Sequence, residues 1–237
     1  DPWQNAGTVA LQVYFASFLD GEDYKRAIGP DGLAKTYQEL FGDPWAGNTT
    51  VLPGSLVQPE FILPFKQGQT WSLTGGPHTA WGSLRPWAAI DFAPPMLTQG
   101  CAETDEFALA VADGVIARVD EGIVVLDLDG DGDERTGWVV FYLHIAEKNR
   151  VPVGTAVKQG EPIGHPSCEG GTSTGTHVHI ARKYNGEWIP AVGVIPFNLE
   201  GWTPMEGSSA YEGKLVRGSE EVIASTLSGT TSMITRK

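Results

Sequence analysis

Apolar and polar positions alternate with two different textures along this chain. Over residues 1–45, Val9, Val13 and Ala16, accompanied by Leu11, Phe15 and Phe18, recur at the spacing of an amphipathic helix. A second run, Leu33, Tyr37, Leu40 and Phe41, follows Asp31 as a cap and stops at Gly42, a residue suited to a helix C-terminus. Residues 46–59 (AGNTTVLPGSLVQP) carry Pro and Gly that interrupt any period, and read as a linker. From residue 60 the pattern is that of strands. Short β-branched runs cover 111–119 (broken at Asp113-Gly114), 123–128, 138–145, 178–184 and 188–192, with Asn185-Gly186 as a two-residue hairpin signal. The stretch 151–164 alternates apolar residues with glycine turns. The expected architecture is mainly β: an antiparallel sheet or sandwich over 60–205, with a short α-helical N-terminal segment. Residues 206–237 form a C-terminal extension of possible edge strands.

Composition adds limits. The 237 residues suffice for one large domain or one domain with an attachment, and for a core that needs no metal or disulfide support. Thirty glycines and 16 prolines suit a turn-rich β protein. The net charge of −13 argues against nucleic acid or an anionic membrane as a general partner. No apolar run is long enough to span a bilayer. The opening Asp1-Pro2-Trp3 has no basic or apolar leader, which fits a cytosolic chain or a processed, secreted one. Cys101 and Cys168 belong to no Cys-x-x-Cys pair, so they read as one disulfide or as two buried thiols.

The histidines carry the chemistry. His177 and His179 are two apart at the start of a β-run, so both imidazoles point to one face. His144 ends the apolar run WVVFYLH, an expensive place for an isolated polar ring. His78 lies in TGGPH, expected to be a Gly-rich loop, and Asp91 follows the strand-like AAI. Imidazole, carboxylate and imidazole make a common three-ligand set for catalytic zinc, with the fourth position left for water. No histidine is followed by glutamate, so a helical His-Glu-x-x-His site is excluded.

His78 with Asp91, the strand ending at His144, and CEGGTSTGTHVH (168–179) running on to YNGEW (184–188) together resemble the LytM/lysostaphin class of zinc metalloendopeptidases, and within it the beta-lytic branch. The resemblance covers roughly residues 60–200. It implies His78, Asp91 and His179 as zinc ligands and His144 and His177 as the catalytic pair. It also implies a secreted or cell-envelope enzyme acting on glycine-containing bonds of peptidoglycan or of Gly-rich proteins. His165 matches no motif and is expected to be an ordinary loop residue. Cys168 sits where the branch has a cysteine, but Cys101 lies before the AVADG strand, a departure that leaves the inherited pairing open.

Three other readings stand beside this one. Gly171-Thr172-Ser173-Thr174-Gly175 satisfies the pattern of a serine-hydrolase elbow, which requires a strand before it and a helix after it. A non-catalytic wall-binding or regulatory module on the same fold is the second. The third concerns Asp127, Asp129, Asp131 and Asp133: with Gly132 they resemble the first half of a calcium loop, although Trp138 stands where the closing glutamate belongs. The alternative there is a solvated acidic turn.

Overall fold

A computed structural model of the chain describes residues 55–82, 85–96 and 100–237. The two helices expected over 1–45, and most of the 46–59 linker, lie outside the described residues. Fourteen strands follow: β1 (Thr70–Thr79), β2 (Trp87–Ala93), β3 (Ala108–Leu109), β4 (Gly114–Asp120), β5 (Ile123–Asp127), β6 (Trp138–Leu143) and β7 (Ala156–Val157). The second half holds β8 (Pro162–Gly164), β9 (Val178–Tyr184), β10 (Glu187–Trp188), β11 (Thr203–Glu206), β12 (Gly213–Arg217), β13 (Glu220–Ile223) and β14 (Met233–Thr235). Among the described residues the one helical element is a 3₁₀ turn, Thr230–Ser232. The mainly antiparallel β architecture read from the sequence is the one observed.

One large sheet dominates, in the order β14-β1-β2-β9-β6-β5-β4-β7, with β10 hairpinned onto β9. The period of two sorts its side chains onto two faces. Val140 and Tyr142 of β6, Val178 and Ile180 of β9, and Ile90 and Phe92 of β2 enter the main core with Trp71, Leu73 and Phe65. Each such burial is worth about 1.5–3 kcal/mol. On the opposite face, Val139, Phe141 and Leu143 join Ile123 and Val125 in a second cluster, while Ala89 and Ala181 make a floor of small side chains. Register then fixes the functional row, because Asp91 pairs with His179 and His179 with Leu143. Asp91 also faces Gly75 of β1.

Three expectations need correction. The run expected over 111–119 forms a strand only from Gly114 onward, as β4. TGGPH is not a loop: residues 74–78 lie within β1. Its pairing with β2 shifts register on both sides of Gly75 and again after His78, which accommodates Pro77, a residue without an N–H to give. The expected strand over 188–192 is confined to Glu187–Trp188, since Pro190 cannot extend a ladder. Towards the C-terminus, β11, β12 and β13 form a separate three-stranded sheet, and β14 pairs with β1 at the edge of the main one.

Candidate metal centre and flanking histidines

Three side chains converge from three adjacent strands. His78 comes from β1, Asp91 from β2 and His179 from β9, and all are buried, at 1%, 4% and 5% exposure. His78 Nε2 lies 2.9 Å from His179 Nδ1 and 3.2 Å from Asp91 Oδ1, and His179 Nδ1 lies 3.1 Å from the same oxygen. The protons of both rings are committed elsewhere. His78 donates from Nδ1 to the Gly76 carbonyl (2.8 Å), and His179 donates from Nε2 to the Ala80 carbonyl (3.1 Å). With both imidazoles neutral, three lone-pair atoms face one another with no proton between them, and Asp91 Oδ1 is a buried acceptor without a hydrogen-bond partner. Such a set is costly unless a cation fills it. Tetrahedral zinc with bonds of roughly 2.0–2.1 Å needs ligand atoms ~3.3 Å apart, which these nearly match. The donor set fits the metal.

The local charge agrees at Asp91 and His179 and departs at His78. Burial opposes ionisation of Asp91, but His78 and His177 outweigh it and hold the carboxyl well below the usual carboxylate range. Burial also lowers His179, favouring the neutral imidazole that a metal requires. For His78 burial acts downward too, yet Asp91 overrides it and raises the imidazole.

Two further histidines flank this group. His144 follows β6 with φ of 64°, a left-handed backbone that is rare for a side chain of this size and that turns the ring towards the cluster. Its Nδ1 donates to the Glu169 carbonyl (2.8 Å), and burial, then His177, push it down to about 4. His177 donates from Nδ1 to the Gly175 carbonyl (2.7 Å), and its Nε2 lies 3.8 Å from Asp91 Oδ2. The two rings are 4.5 Å apart. Each thus presents a bare Nε2.

The remaining sequence-derived residues fall elsewhere. His165 lies apart, tilted against Phe107 with ring centroids 3.9 Å apart and bonded to the Glu106 carbonyl. Ser173 approaches His177 Nδ1 at 3.3 Å, but its hydroxyl donates to Gly175 and a strand, not a helix, follows. That is not a nucleophile elbow. Cys101 and Cys168 are joined in a disulfide. Asp127, Asp129 and Asp131 come within 4.8 Å of one another, but Asp133 is held by Arg135 at 2.7 Å and does not join them. Asp127 accepts the Gly132 amide (2.8 Å), Asp131 accepts the Asp133 amide (2.7 Å), and Thr136 donates to Asp131. Those bonds account for an acidic turn, and calcium is not supported.

Sequence reasoning missed two glycines. A Cβ at Gly75 would collide with Asp91 Oδ2, and one at Gly76 would collide with the Glu212 carbonyl. The signal was present as a Gly-Gly pair three residues before His78, but its meaning depends on contacts distant in sequence.

No family model matches the chain. Curated relatives do. Protease LasA of Pseudomonas aeruginosa is 28% identical over 177 residues, covering 68% of this chain and 40% of that protein. The beta-lytic metalloendopeptidase of Achromobacter lyticus is 27% identical over 174 residues, covering 70% of this chain and 42% of its own length. The chain therefore spans well under half of these relatives. Among solved structures, the M23 metalloprotease pseudoalterin superposes with a TM-score of 0.59 at 23% identity, covering 71% of this chain and 96% of that one. The fold is that of the M23 metallopeptidases. In sequence the chain is similar to LasA, in keeping with the branch its motifs resemble.

Proposed function

We propose that this chain is a zinc-dependent endopeptidase in which His78 Nε2, Asp91 Oδ1 and His179 Nδ1 hold the metal. The observation that carries the reading is the convergence of three buried, proton-free donor atoms beside two histidines whose Nε2 atoms are also bare. Zinc in such a site supplies a water with a pKa near ~7 and polarises a peptide carbonyl. His144, neutral at pH 7, accepts the proton of the attacking water at Nε2. His144 would then pass that proton to the leaving amine, while His177 flanks the carbonyl from the other side of the cluster.

Glycine-containing bonds in peptidoglycan cross-bridges or Gly-rich proteins are the substrates we favour. A residue without Cβ lets its backbone approach a buried metal closely. The disulfide supports an oxidising, secreted or cell-envelope location. A digest of purified peptidoglycan and of a Gly-rich protein, read by mass spectrometry, tests the proposal. New glycine termini that vanish with a chelator and return with zinc are expected. One bound zinc with no cleavage of either substrate would favour the wall-binding module instead.

A further inference from the structure

The turn between β11 and β12 lies against the metal centre, and none of the chemistry above uses it. The turn between β11 and β12 reaches β1 at Gly75-Gly76-Pro77, the segment that leads into His78. Gly76 donates its amide to the Tyr211 carbonyl (2.7 Å), and the Tyr211 amide returns a bond to the Pro77 carbonyl (3.3 Å). The turn passes so close to Gly76 that a Cβ there would strike Glu212. This docking places the Tyr211 ring over His78, with centroids 4.0 Å apart and planes inclined by 22°. Tyr211 holds φ of 71°, a left-handed conformation costly for an aromatic residue, and the residue remains 52% exposed. Burial does not explain a strained, half-exposed residue. The stack on His78 does.

The geometry points to Tyr211 as a positioning residue of the metal centre: its ring, carried by the turn between β11 and β12, fixes the plane of the His78 imidazole. Two restraints then act on that ring from different directions. The Gly76 carbonyl accepts its Nδ1–H and sets the tautomer, while Tyr211 covers one face and prevents rotation. Both restraints belong to one unit, since Gly76 also donates to Tyr211. Groups that orient a metal-bound imidazole change metal affinity by about 10–100-fold. The inference rests on the metal-site reading and deepens it, because the extension becomes part of the site.

Zinc affinity by chelator competition is the readout, on the full chain and on Tyr211→Phe, Tyr211→Leu and Tyr211→Ala. Phe keeps the ring and should bind zinc as the parent does. Leu keeps apolar bulk without a stacking plane, and Ala keeps neither; both should bind roughly ten-fold more weakly. Thermal midpoints of the zinc-free proteins separate orientation from folding. A weaker Leu variant whose zinc-free midpoint equals that of Phe supports the proposal. Leu binding as tightly as Phe overturns it, as does a loss of affinity in Phe equal to that in Ala. A parent chain that binds no zinc would sink the metallopeptidase reading first, which distinguishes the two failures.

Discussion

His144 shows how much one residue can be asked to hold. Its left-handed backbone is unfavourable for any side chain with a Cβ, by roughly 1–2 kcal/mol. That conformation nonetheless brings its imidazole within 4.5 Å of the His177 ring. Glycine at position 144 should therefore give a more stable protein than alanine, by about 1 kcal/mol in urea unfolding. Both variants should retain zinc and lose turnover by roughly 10²–10⁴-fold, as should His177→Ala, whereas His179→Ala should lose metal and activity together. Equal zinc loss in all of them would erase the division between ligands and proton-transfer groups. Gly75 is a second critical position. Gly75→Ala pushes a methyl into the Asp91 carboxylate, and zinc affinity should fall at least ~10-fold with the fold intact by circular dichroism.

Strands β4 and β9 are linked across the acidic turn by Glu134, which accepts from Arg118 (2.7 Å) and from Lys183 (3.3 Å). Burial works against the Glu134 charge, but the two cations prevail and its pKa falls below 4.5. A lowered carboxylate contributes stability above its ordinary pKa and loses it as pH falls through the folded value. Glu134→Gln should thus cost about 0.5–1 kcal/mol at pH 7, and the gap to the parent should be smaller at a pH well below the ordinary carboxylate range. A gap of the same size at both pH values would remove the ionic explanation. At this scale the sequence was legible where burial is one-sided and uninterrupted: β5, β6 and β9 follow their β-branched runs to within two residues. It was illegible at β1, because Gly75, Gly76 and Pro77 imitate a loop. Their presence answers to the Asp91 carboxylate and the Tyr211 turn, which no local pattern contains. The same reason hid the three-stranded sheet of β11, β12 and β13, whose contact with β1 spans well over a hundred residues.

For the molecule as a whole, the disulfide joins two segments that steady the flanking histidines. Beside Cys101, the carbonyls of Gly100 and Ala102 accept from Thr176, the neighbour of His177. Beside Cys168, the Glu169 carbonyl holds His144. Closing a loop of 67 residues is worth about 4 kcal/mol in the chain-entropy model. Replacing both cysteines by serine should lower stability by about that amount, and turnover should fall further than zinc affinity does. Unchanged turnover would limit the bond to holding the fold. The pairing of Thr70 with Thr235 carries a different consequence. These partners lie 165 positions apart, so the outer rim of the main sheet cannot close until nearly all the described chain is available. Contact order of this kind slows folding, and for that interval β1 offers unpaired amides and carbonyls to any neighbouring chain. Refolding yield should accordingly depend on protein concentration, with association of half-folded molecules competing against arrival of β14.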